Sequence, residues 1–268
     1  MAMSEIDSAL VVFVLLLAVT GIGVWVRPLL PEEHKAHETV QLIQLVIGML
    51  VTFAALVLGL MTASAKSGFD TASNDLRTYA ADLIEFDTTL REYGTDTEPA
   101  RQLLRQYTAA AIASTWPAET PPSGDYPKDI GSQDYSQKLE SVRLGDMLTA
   151  VGRELRTLRT RDPLQQRALD DALKQYRRVV DARWKLIEEA HSSISRPFLT
   201  TLTFWLGVIF LSFGLIAPRN ALALVTISLG AVSIASAIYV IVDLDTPFTG
   251  PIVISSSPIR DALDHLRR

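Results

Sequence analysis

The stretch that decides the fold is QLVIGMLVTFAALVLGLMTASAKS, residues 44–67. It is apolar enough for lipid, yet it holds two glycines, two threonines and several alanines. Gln41, Gln44, Gly48, Thr52, Ala55, Gly59, Thr62 and Lys66 step by three and four, which places them on one edge of a helix. That edge is small or polar from end to end. Ile43, Ile47, Leu50, Val57 and Leu60 stand on the opposite side of the same helix, and lipid would suit that face. The small-residue edge admits two uses. Small side chains let helices approach closely in a membrane, or they line a water-filled path. Gln44 at one end and Lys66 at the other are less expected of a pure packing seam.

Three further apolar blocks accompany this one in a chain of 268 residues, 48% of them hydrophobic. They cover 8–26, 198–217 and 221–242, beside 42–62 for the quoted segment, and none holds Asp, Glu, Lys or Arg. Each approaches the ~20 residues that cross a bilayer as a helix. They do not alternate as barrel strands would, so the fold predicted is all-α with four transmembrane helices. The opening MAMSEIDS carries two acids and no base, and no A-x-A site follows, so the first block reads as a retained helix and not a cleaved leader.

Residues 65–197 form a large polar insertion between the second and third spans, with acids and bases in near-equal number. Its apolar residues keep helical spacing. Leu76, Tyr79, Leu83, Phe86, Leu90 and Tyr93 make one stripe, ended by Gly94. Asp96 or Thr97 can cap a second helix with Pro99 in its first turn, carrying Leu103, Leu104, Tyr107 and Ala111 as far as Trp116–Pro117. An exposed loop is predicted over 117–135. Leu144, Leu148, Val151, Leu155 and Leu158 mark a third helix. Asp162–Pro163 opens a fourth with Leu169, Leu173, Tyr176, Val180, Ile187 and Ile194. These stripes predict a helical bundle. In the tail, 243–268, Ser257–Pro258 opens a short amphipathic helix with Ile259, Leu263 and Leu266 on one side.

Four spans put both termini and the bundle on one side. Arg27, Lys35 and Arg219 lie on the other side. Lys66, Arg77, Lys185, Arg196, Arg260, Arg267 and Arg268 lie on the bundle side, which the positive-inside rule makes cytoplasmic. The fourth span repeats the small-residue pattern at Thr226, Gly230, Ser233 and Ala237, a face to turn toward the second span. Gly207 and Gly214 are packing positions on the third. Asp243 and Asp245, where the last span ends, can attract cations or pair with Lys66 or Arg196, or they simply end the span in the aqueous boundary.

Catalytic and metal chemistry find little footing. No cysteine is present, so disulfides and thiolate metal sites are excluded. His34 and His37 stand three apart among acids, a zinc pair without a fixed third ligand, and a solvated loop explains them as well. No nucleophile with a paired base, phosphate loop or H-E-x-x-H occurs, and the spans hold no Asp or His. The chain reads as a non-enzyme without a cofactor. Its net charge of −5 argues against nucleic acid as a partner.

GLMTASAKSGFD (59–70), FWLGVIFLSFGLIAPRNAL (204–222) and DLDTPFTGPIVISSSPIRDAL (243–263) resemble a bacterial membrane family described as bestrophin-like, a likeness that runs over most of the chain. More remotely, the layout and DLDTPFTG resemble bestrophins, pentameric ion channels whose second helix lines the pore past a neck of bulky apolar residues. The resemblance implies a homo-oligomer, expected to be a pentamer, in a bacterial inner membrane, with small inorganic ions as cargo. Gln44, Gly48, Thr52, Ala55, Gly59 and Thr62 would line the pore, with Lys66, Asp243 and Asp245 at its cytoplasmic mouth. The chain departs from bestrophins in having MTASAKSGFD where they carry Arg-Asn-Asn and a Trp-rich run. It also lacks the acidic run of the calcium clasp, so calcium gating and ion choice are not carried over. The alternative from another class is a membrane-anchored scaffold or sensor whose bundle binds a partner protein, with the stripe serving packing alone.

Overall fold

The computed structural model describes residues 5–29, 31, 37–128, 141–190, 196–218 and 220–268. Among them there is no strand. The described residues form eight α-helices: α1 (Glu5–Val26), α2 (His37–Tyr93), α3 (Glu98–Thr115), α4 (Val142–Thr157), α5 (Pro163–Glu189), α6 (Arg196–Ile216), α7 (Ala221–Leu244) and α8 (Ser257–Leu266). Four of them, α1, α2, α6 and α7, are long and apolar enough to cross a membrane. The second span and the first bundle stripe are one helix of 57 residues. No proline or cap interrupts the sequence between them, so the backbone hydrogen bonds continue where hydrophobicity falls.

The chain separates into two compact units, residues 1–68 with 193–245 and residues 69–192 with 246–268. In the first, Leu16 of α1, Ile47, Ala54 and Met61 of α2, Leu202 and Phe210 of α6, and Ile238 of α7 share one buried cluster. Two of its helices make a close crossing at a pair of glycines. A Cβ on Gly214 would sit 2.2 Å from the Thr20 carbonyl oxygen and 3.0 Å from Cα of Gly23, so α1 and α6 touch backbone to backbone there. Gly207 differs: a Cβ there would meet nothing within 4 Å, and it is not a packing position within the chain.

The second unit buries Leu76, Tyr79, Leu83, Phe86 and Leu90 of α2 against Leu104 and Tyr107 of α3, Leu144, Leu148, Val151 and Leu155 of α4, and Val179 and Leu186 of α5. Removing each large apolar side chain from water contributes about 1.5–3 kcal/mol. The tail helix α8 is part of this core, through Ile259, Ala262, Leu263 and Leu266. Trp116 donates its ring N–H to the Ile254 carbonyl at 2.8 Å, fixing the strand of chain that leads into α8.

Helix ends follow local chemistry. Gly94, at φ 118°, terminates α2 in a conformation that side chains disfavour. Asp162 caps α5, accepting from the Gln165 N–H at 2.8 Å. Thr97 occupies the cap position of α3, but its hydroxyl turns back to the Leu90 and Gly94 carbonyls, at 2.6 and 2.7 Å, and caps nothing ahead of it. Leu158 lies just past the end of α4 in extended conformation. Ile194, His34 and residues 129–140, which hold part of the expected loop, lie outside the described residues, as does the His37 side chain.

Candidate functional site

The small-residue edge of α2 is exposed on the surface of the chain. Gln44, Gly48, Thr52, Ala55, Gly59, Thr62 and Lys66 are all exposed. A Cβ added at Gly48 or Gly59 would touch nothing within 4 Å. The residues assigned to lipid from the sequence behave otherwise. Ile47 is buried, and Ile43, Leu50 and Val57 pack beside it against the other spans, while Leu60 alone of that group stays 65% exposed. The error has a simple origin. Periodicity separates faces of a helix but does not say which face meets the same chain. Here α2 uses its Ile47–Ala54–Met61 face for internal packing and leaves two sectors uncovered. One is the small-residue edge. The other is bulky and apolar, with Leu42, Leu45, Met49, Leu56 and Leu60.

The threonines on the edge have a defined chemistry. Thr52 Oγ1 donates to the Gly48 carbonyl at 2.9 Å, and Thr62 Oγ1 to the Leu58 carbonyl at 2.8 Å. Each hydroxyl proton is thus spent inside the helix, and what projects outward is lone-pair density able to accept from water. The same arrangement recurs on α7, where Thr226 and Ser233 donate to Leu222 and Leu229 and are exposed. Thr226 and Gly230 share with Gln44 a groove of about 550 Å³ that also takes in Ile47 of α2 and Phe210 and Phe213 of α6.

At the other end of α7 the acids are inside. Asp243 is wholly buried and Asp245 is 7% exposed, whereas Lys66 is exposed. Asp245 forms the C-cap of α7, its N–H donating to the Ile241 carbonyl at 3.2 Å.

The helical unit holds charged contacts that spacing alone did not reveal. Asp87 of α2, with no exposed surface, accepts from Nε of Arg91 at 2.7 Å and Nε of Arg101 at 2.8 Å. Arg91 also donates to the His265 carbonyl at 2.7 Å, near the end of α8. Buried carboxylates need such paired donors. Tyr79 and Tyr107 meet hydroxyl to hydroxyl at 2.6 Å, and burial raises both phenols above their ordinary values. Asp75 accepts from Lys185 Nζ at 2.8 Å. Burial and the hydrogen bond it donates to Asp75 raise Glu189 to about 7. Asp75 itself is lowered: burial pulls the other way, and its hydrogen bonds with Glu189 and Lys185 prevail. The Asp87–Arg91 spacing of four was the one sequence signal for this set; the partners across helices had none. Among the described residues no group of three metal-ligating side chains occurs.

A family model described as bestrophin-like domain matches residues 14–259. No curated protein matches the chain. Solved structures share the fold at low identity. Two variants of a bacterial bestrophin homologue from Klebsiella pneumoniae align with TM-scores of 0.62 and 0.60 at 16% and 17% identity. The first alignment covers 99% of this chain and 100% of that one, the second all of both. A crystal structure described only as a membrane protein aligns with a TM-score of 0.61 at 16% identity, over 96% of this chain and 97% of its own.

Proposed function

Because the chain belongs to the bestrophin-like family, we propose that it is a homo-oligomeric ion channel, a pentamer, of the bacterial inner membrane, with α2 around the shared axis. Gln44, Gly48, Thr52, Ala55, Gly59 and Thr62 line the path for small inorganic ions. Lys66 sets the charge at the cytoplasmic mouth, and Asp243 and Asp245 act there through the field of their buried carboxylates. The helical unit and both termini lie in the cytoplasm.

The observation that carries this reading is that Gly48, Thr52, Ala55, Gly59 and Thr62 are all exposed on α2, and that a Cβ at either glycine would meet nothing within 4 Å. A seam meant for intramolecular packing would have its glycines in contact, as Gly23 and Gly214 are. A narrow path lined by small residues and outward lone pairs admits hydrated ions, and its tightest stretch gates by wetting or closure. Purified protein in liposomes should pass ions, and Thr52→Trp or Gly59→Leu should block flux while the oligomer persists. Assembled protein that conducts no ion under any salt condition overturns the proposal.

One observation favours the scaffold alternative. Trp184 of α5 is 58% exposed beside Val142 of α4 at 79%, an apolar patch on the helical unit. If partner binding is the function, Trp184→Ser abolishes it and leaves liposome flux without meaning.

A further inference from the structure

The groove between α2, α6 and α7 ends at the turn that joins the last two spans, at Ala217, Pro218 and Asn220. Its lining runs from Ala217 back to Phe210 on α6 and from Leu222 to Gly230 on α7, which at 1.5 Å per residue is roughly 10–12 Å of depth along the helices. The walls are mostly apolar, with Gln44, Asn220 and Thr226 the polar members. In a bilayer such a groove is not closed by the hydrophobic effect, since its surroundings are as apolar as its walls. An empty one forfeits dispersion contacts along its length. A flexible hydrocarbon chain fills it without reshaping the helices.

A charge stands beside the end of the groove, outside its lining. Arg27, just past the end of α1, is half-buried and donates through Nη1 to the Ala217 carbonyl, and Ala217 is itself a wall of the groove. Neutralising the C-terminal carbonyls of α6 accounts for that single bond. A guanidinium has five N–H donors, and its fork matches a phosphate. One residue, Ala217, thus belongs both to the apolar wall and to the arginine contact. We propose that this is a lipid site, holding one acyl chain of an anionic phospholipid in the groove with its phosphate at Arg27.

The site depends on the membrane placement of these helices and not on conduction, so it is tested on protein that need not conduct. Full-length protein is purified in mild detergent, phosphatidylglycerol or phosphatidylcholine is added, and retained lipid is counted by native mass spectrometry. Phosphatidylglycerol should be held at least tenfold better than phosphatidylcholine. Arg27→Gln should remove that preference. Gly230→Phe should lower retention of both lipids about tenfold, because a side chain there enters open groove without a clash: nothing lies within 4 Å of its Cβ position. Since the chain has no cysteine, Thr226→Cys carries a single photoreactive label, which should capture phospholipid. No headgroup preference in the unaltered protein, or retention unaffected by Gly230→Phe, overturns the proposal. Capture of a second copy of the chain at Thr226 does so too, since the groove is then filled by a neighbouring subunit.

Discussion

Substituting Gly214 with alanine separates internal packing from the exposed edge of α2. The added Cβ would lie 2.2 Å from the Thr20 carbonyl oxygen and 3.0 Å from Gly23 Cα. Ordinary contact needs about 3.4 Å or more between such atoms, so the α1–α6 crossing must open by roughly 1 Å. Both obstructing atoms are backbone, and neither can swing away as a side-chain tip would. Overpacking of this kind costs about 1–3 kcal/mol, and at the upper end it opens the crossing that the Leu16–Phe210 cluster surrounds. Gly48→Ala and Gly59→Ala meet open space, and alanine is the better helix former by up to about 1 kcal/mol. Thermal unfolding in detergent, followed by size-exclusion fluorescence, should therefore show Gly214→Ala melting several degrees lower. Gly48→Ala and Gly59→Ala should stay level with or above the unaltered protein in monomeric preparations. If Gly214→Ala is neutral, or Gly59→Ala costs the monomer as much, the assignment of the two glycine sets to different roles is wrong.

Asp87→Ala leaves Arg91 and Arg101 without the buried carboxylate that both contact, and should destabilise the helical unit by about 2–4 kcal/mol, measured by denaturant unfolding. Arg91→Ala should cost less, because its side chain is 33% exposed, while raising proteolysis of the α8 tail whose His265 carbonyl it holds. The Asp75–Glu189 pair sets a pH dependence. Glu189 binds its proton more tightly folded, at about 7, than at its ordinary 4.5, so the fold loses stability as pH rises from about 4.5 to 7 and the loss is complete above that window. Asp75, lowered from 3.8, acts oppositely and withdraws stability only as pH falls below that value. Melting curves of Glu189→Gln should lack the decline between pH 4.5 and 7, and an unchanged slope would assign it to another group.

Most of the fold was legible because hydrocarbon is a demanding solvent. Charge-free blocks of bilayer length have few alternatives, and all four appear as helices. The first stripe of the helical unit was equally readable: every large apolar residue from Leu76 to Leu90 that the spacing picked out is buried. The Asp162 cap held because a side chain three residues from its acceptor needs no tertiary knowledge. What failed was orientation within the membrane unit. In lipid, a face covered by a neighbouring helix and a face covered by acyl chains have similar composition, so Ile43, Ile47, Leu50 and Val57 did not announce that they pack internally. Gly23 passed unnoticed because its partner Gly214 is 191 positions away, and only the crossing joins them. Asp243 illustrates the same limit. Its place at the end of a span suggests water, and the structure encloses it. The candidate path itself was visible as a periodicity of small residues, but its outward direction was not.

Cysteine accessibility along α2 tests the central claim most directly, and the cysteine-free chain makes it clean. Single cysteines at Thr52, Ala55 and Gly59, and for contrast at Leu45, Met49 and Leu56, are exposed to a membrane-impermeant thiosulfonate while ion flux through the reconstituted oligomer is recorded. Reaction at 52, 55 and 59 with loss of flux, and silence at 45, 49 and 56, is the result predicted. Flux that is blocked only from the bulky sector, or from neither, would mean that the small-residue edge does not face the ion path.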